Sequence, residues 1–192
     1  GRWMMAAKDL AGKMQSNFWD KEGGGFFFTA DDHEALIVRT KHPGDNALPS
    51  GNSVAARVCL QLFQLTGDAS WRELGEGTLK AFSAHYARQP RGWAEMLAAL
   101  DLATSEPMEI VVTGTKEARG PLLAEARRHF LPNALILPFD PAGTSAQGMA
   151  KAVPLFEGKT LVEGRPAAYV CRGGACQRPV TDPAELEKLL KP

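Results

Sequence analysis

Three groups of residues have the types and spacing to do chemistry. The first is Asp45-Asn46-Ala47-Leu48-Pro49-Ser50-Gly51-Asn52-Ser53, acidic, amide and hydroxyl side chains set around a proline and a glycine. It lies just ahead of an apolar helical run, and this makes it a polar shelf. Pro49 fixes its own φ and extends Leu48. Ser50, Asn52 or Ser53 can cap the helix. The N–H groups at the helix start favour anionic or hydroxyl-rich ligands. The same residues also suffice for a well-capped helix start and nothing more. The second group is Cys171 and Cys176, on either side of the turn Arg172-Gly173-Gly174-Ala175. On a regular hairpin their side chains face each other near disulfide range. That allows a redox pair, part of a metal site, or a structural pair. Two thiolates are too few for structural zinc, and no metal site is expected. The spacing is not the Cys-x-x-Cys of thioredoxin-like redox sites. The third group, Val112-Thr113-Gly114-Thr115-Lys116, lacks the spacing of a P-loop or a dinucleotide fingerprint. It reads as a turn of the chain, and no cofactor is expected.

The elements that position these groups fall into two stretches of different period. Residues 1–105 are mainly helical. Trp3, Ala7, Leu10, Ala11, Met14 and Phe18 repeat at helical spacing. Gly23-Gly24-Gly25 breaks that helix. The short apolar runs Phe26–Phe28 and Leu36–Arg39 are then expected to form a small hairpin. A second helix, 52–65, presents Val54, Ala55, Val58, Leu62 and Leu65, with Cys59 on the flank. Thr66-Gly67-Asp68 ends it and caps the next helix, 69–87, so the two must lie antiparallel. A further helix runs over 93–104. Residues 106–192 are of α/β character. Glu109–Gly114 reads as a buried strand, 121–130 as a helix and 134–137 as a second, parallel strand. A loop over 139–153, the cysteine hairpin and a last helix begun by Asp182-Pro183 complete the chain.

Composition excludes some classes of function. Of the 192 residues 44% are hydrophobic and 23% charged, with 22 basic residues balancing 22 acidic ones. No basic stripe offers itself to a phosphate backbone, so nucleic acid is not an expected partner. No apolar run approaches a membrane span. Three cysteines suit a reducing compartment, and a cytoplasmic location is expected. The chain opens on Gly1-Arg2-Trp3, already in helical register. It is therefore expected to be the C-terminal piece of a longer protein, with exposed apolar surface and a tendency to self-associate.

In order along the chain stand Gly24-Gly25-Phe26-Phe27, Leu36–Arg39 with Lys41, Asp45–Ser53 and Leu65-Thr66-Gly67-Asp68. Glu109–Gly114, Tyr169-Val170-Cys171, Cys176 and Pro179 follow. With these the chain resembles the C-terminal part of the spermatogenesis-associated protein 20 family. The resemblance implies an N-terminal thioredoxin-like domain, outside this chain, followed by an (α/α)6 toroid similar to N-acylglucosamine 2-epimerases and six-hairpin glycosidases. The implied fold is mixed α and β: the last helical hairpins of the toroid over 1–105, then a small α/β segment over 106–192. Loops at one end of such a toroid surround a cavity suited to sugars. There Asp45 would act as general acid or base, with a partner carboxylate needed for hydrolysis. His42, the histidine nearest that loop, would serve an epimerase. Asn46, Ser50 and Asn52 would hold hydroxyls, and Trp19, Phe27 and Trp93 would stack on sugar faces. The alternative is a non-catalytic interaction scaffold attached to the thioredoxin-like redox domain.

Overall fold

A computed structural model describes residues 2–34, 37–42 and 44–191. It divides into two compact units, Gly1–Thr104 and Ser105–Pro192. No helix among the described residues is long and apolar enough to cross a membrane.

Among the described residues, unit 1 holds four α-helices: α1 (Arg2–Phe18), α2 (Gly51–Thr66), α3 (Ala69–Arg88) and α4 (Ala94–Thr104). Gly67, left-handed at φ 71°, ends α2, and its N–H donates to the carbonyl of Phe63. Asp68 then caps α3 by accepting from the Ser70 N–H. α2 is buried on more than one side. Ala56 and Leu60 join Leu79 and Phe82 of α3 and Met96 and Ala99 of α4. Ala55, Cys59 and Leu62 join Ala11 of α1, Phe26, Trp71 and Leu74. This differs from the single stripe expected of α2. Val54 is 42% exposed, because a helix enclosed by three others centres its buried surface on small residues that allow close approach. α1 departs further. Ala11 is buried, but Trp3 is 77% and Leu10 67% exposed.

Among the described residues, the expected hairpin of Phe26–Phe28 with 36–39 is not formed as strands. Phe26 makes one antiparallel bridge to Trp19. The Phe28 N–H donates to the carbonyl of Thr40 at 2.8 Å. Leu36 lies outside the described residues. Side chains replace the missing ladder. Arg39 sits 4.2 Å over the Phe27 ring and donates to the carbonyls of Thr29 and Asn17. Lys41 pairs with Asp20 and donates to the carbonyl of Gly24.

Unit 2 is a four-stranded sheet in the order β2-β1-β3-β4. Its strands are β1 (Met108–Thr113), β2 (Ala134–Phe139), β3 (Ala168–Arg172) and β4 (Ala175–Cys176). β1 runs parallel to β2 and antiparallel to β3, and β3 runs antiparallel to β4. Helices α5 (Gly120–Arg128), α6 (Ala146–Ala152) and α7 (Pro183–Leu190) complete the unit. The unit is thus a β-α-β element followed, after α6, by a hairpin and a helix. Fold alone carries no activity. Ile110, Val112, Ala168 and Val170 face Leu122 and Leu123 of α5 and Leu186 and Leu190 of α7. The opposite sheet face carries Glu109, Thr113, Tyr169 and Cys171, all buried. α6 lies within the segment expected to be loop. It is one seven-residue helix with no buried side chain, so it carries no apolar stripe.

Candidate functional site

The sequence between α1 and α2 folds around Asn52. Gly24 and Gly25, at φ 68° and 74°, turn the chain back after α1. This returns Phe26 to the start of α2, where Asn52 meets its backbone. Asn52 Oδ1 accepts from the Phe26 N–H at 2.7 Å. Its Nδ2 donates to the Phe26 carbonyl at 3.0 Å and to that of His42 at 3.3 Å. One 3% exposed amide thus ties the glycine turn and the His42 segment to a helix N-terminus.

Beside this clasp is a cleft of about 220 Å³. Met14 and Phe18 of α1, Phe26, Phe27, Phe28 and His42, and Gly51, Asn52 and Ala55 of α2 line it. His42 is exposed, and its ring meets Phe28 edge-on at 4.9 Å. No carboxylate is among the lining residues. The wall is apolar and aromatic, with one imidazole and one amide among its lining residues, a form that suits small ligands.

Of the residues expected to form a site, Phe27, His42 and Asn52 line this cleft together. The others stand elsewhere. Asp45 accepts from the Ser50 N–H at 2.8 Å, and from the N–H groups of Glu95 at 2.9 Å and Met96 at 3.3 Å. It clamps the loop before α2 onto the first turn of α4. Burial pushes its carboxyl up, but hydrogen bonds from Ser50, Ser53, Met96 and Glu95 outweigh this and hold it below its ordinary value. Ser50 caps α2: its Oγ accepts from the Ser53 N–H at 3.1 Å and lies 2.8 Å from Ser53 Oγ. Asn46 is exposed in the loop. Trp93 is 7% exposed, among the rings of Phe82, His85 and Tyr86. Trp19 packs edge-on against Phe26 at 5.0 Å, with its ring against Gly77 of α3. Met14, Phe18 and Phe28 are lining residues that sequence reading did not select. The first two belong to the α1 periodicity, and only the glycine turn brings them to α2.

In unit 2, Cys171 and Cys176 occupy directly paired positions of β3 and β4 and are joined in a disulfide. Cys59, the third cysteine, is buried in α2, and burial pushes its thiol up to about 12. Thr113 and Gly114 turn the chain as expected. The Thr113 hydroxyl donates to the carbonyl of Thr160, and Gly114, at φ 119°, meets Pro166.

Comparison with known proteins follows the whole chain. Over 99% of its length it is 33% identical to spermatogenesis-associated protein 20 of Homo sapiens. Over 98% it is 34% identical to that of Rattus norvegicus. The chain is thus similar to one segment of the spermatogenesis-associated protein 20 of these mammals. It spans about a quarter of the length of these relatives, 24% in each case. An uncharacterised protein of Caenorhabditis elegans is 27% identical over 97% of the chain. No family model matches the chain.

Proposed function

We propose that unit 1 supplies one wall of a sugar-binding cavity, as the closing segment of an (α/α)6 toroid similar to the N-acylglucosamine 2-epimerases. The observation that carries this reading is the cleft beside Asn52, where aromatic side chains and an exposed imidazole surround about 220 Å³. A sugar ring has apolar C–H faces that lie against aromatic rings, and hydroxyls that need a few placed polar groups. His42 is the ionisable side chain on that wall, and it takes the role of proton carrier in an epimerase-type reaction. Hydrolysis through paired carboxylates is the weaker form of the reading, because Asp45 is engaged by three backbone N–H groups and none of the lining residues is acidic. Asp45 instead clamps the loop before α2 onto the first turn of α4.

A thermal-shift screen against neutral sugars and sugar phosphates tests the reading. A ligand at about a hundred times its Kd adds roughly 2.7 kcal/mol of stability. The expected result is a shift that vanishes in Phe28→Ala and persists in His42→Gln, since the first removes the contact surface and the second only the proton carrier. Absence of a shift across the panel would move the assignment to a non-catalytic scaffold attached to a thioredoxin-like domain.

A further inference from the structure

The face of the unit 2 sheet opposite α5 and α7 gathers four reactive groups at one end. Cys171 and Cys176 are joined across β3 and β4. Cys171 is 4% exposed, whereas Cys176 lies on the exposed edge strand. Lys159 Nζ is 3.2 Å from Cys176 Sγ. The lysine is held there: its ammonium lies 5.0 Å from the Tyr169 ring centre. The Tyr169 hydroxyl also donates to the neighbouring Thr160 carbonyl and accepts from the Thr160 N–H. Glu109 of β1 is the direct cross-strand partner of Cys171. Such partners share a sheet face with Cβ atoms about 4.5–5.5 Å apart. Glu109 is 6% exposed.

We propose that this pair is a thiol–disulfide exchange site, opened by a dithiol reductant that attacks Cys176, with Lys159 and Glu109 serving the two sulfurs unequally. Access decides the direction, because an incoming thiolate reaches the exposed sulfur and not the buried one. Its attack forms a bond to Cys176 Sγ and breaks the bond between the two cysteines. The electron pair leaves on Cys171, inside the sheet, and takes the proton of Glu109. Burial pushes the Glu109 carboxyl up, the direction that favours its acid form. The second thiol of the reductant loses its proton to solvent and attacks the reductant's own sulfur in the mixed disulfide. The bond to Cys176 breaks, and its electron pair leaves on Cys176 as a thiolate beside the Lys159 ammonium. Glu109 regains a proton from solvent. Two electrons have passed from the dithiol, now a disulfide, to the cysteine pair. A thiolate beside an ammonium is both the better leaving group and the more populated nucleophile, so the same lysine serves reduction and reoxidation. Opening the pair also untethers β4, whose pairing with β3 extends over only two residue positions.

The test uses the full chain purified without reductant, with dithiothreitol as the dithiol and iodoacetamide as the trap, read by peptide mass mapping. The expected result is an oxidised pair before treatment. After reduction Cys176 is alkylated at least tenfold faster than Cys171, and the buried Cys59 stays unlabelled. Lys159→Met slows Cys176 alkylation severalfold with an unchanged circular dichroism spectrum, and Lys159→Arg restores it. Glu109→Gln slows reduction by dithiothreitol severalfold while leaving the alkylation rate of already reduced Cys176 unchanged. Two free thiols that oxidised glutathione fails to join, equal labelling of Cys171 and Cys176, or indifference to Lys159→Met would overturn the proposal.

Discussion

At the scale of single residues, the polar run before α2 does more structural work than its composition suggests. Asn52 and Asp45 both satisfy backbone groups far away in sequence, 26 residues from Asn52 to Phe26 and 50 from Asp45 to Glu95. Replacing Asn52 with alanine leaves the Phe26 N–H and carbonyl without their partner in a buried site. Each such group costs about 1–3 kcal/mol. Gly25 belongs to the same clasp. A Cβ there would stand 3.0 Å from Phe82 Cε2 and 3.1 Å from Asn52 Oδ1. Its left-handed backbone adds roughly 1–2 kcal/mol for any other residue. Urea unfolding is expected to show both Asn52→Ala and Gly25→Ala destabilised. The double variant should lose less than the sum, since each breaks what the other needs; strict additivity would show the two residues to be independent. The polar character of this run is plain in the sequence. Which of its members face a cleft and which face backbone is not, because that depends on partners dozens of residues away.

At the scale of elements, two clamps link helices to the loops between them, and both depend on pH. Asp20 accepts from Lys41 and from the Gly23 and Glu22 N–H groups, which together hold its carboxyl at about 2 against the opposing effect of burial. Asp45, clamping α4, is also held below its ordinary value. A carboxyl depressed in the folded state contributes stability that is complete above its unfolded value, near 4, and is lost as pH falls through the folded value. Unfolding free energy is therefore expected to fall most steeply between about pH 4 and pH 2. Lys41→Met should flatten part of that fall, as should Asp45→Asn. An identical acid profile in both variants would show that other groups govern it. Most helices were legible from period and caps. Asp182 with Pro183 announces α7, and Asp182 does accept from the Ala184 N–H. The expected hairpin of Phe26–Phe28 failed because cations over Phe27 and the Asn52 amide bind this segment without a ladder. α6 escaped notice because AQGMAKA has no buried stripe to give it away.

At the scale of the whole molecule, the apolar residues left exposed on α1 carry a consequence. Trp3 at 77%, Leu10 at 67% and Met5 at 54% exposure form surface that soluble chains seldom leave uncovered. This chain is expected to self-associate with rising concentration in sedimentation velocity, and Leu10→Lys should shift it toward monomer. A wild-type chain that stays monomeric at high concentration would remove the argument.

By itself the sequence determined the division into a helical and an α/β stretch, the positions of most elements and the parallel pairing of β1 with β2. Periodicity, capping residues and β-branched runs are local properties, and local backbone sterics read them out directly. It also brought Cys171 and Cys176 to facing positions, because a short hairpin turn sets register within a few residues. The tertiary structure alone decided that Phe27, His42 and Asn52 share a cleft while Trp93 joins the core and Asp45 caps α4. It alone placed Lys159 and Glu109 beside the cysteine pair. These neighbours meet through chain reversals and strand pairings between residues distant in sequence, and no local pattern encodes which distant side chain arrives.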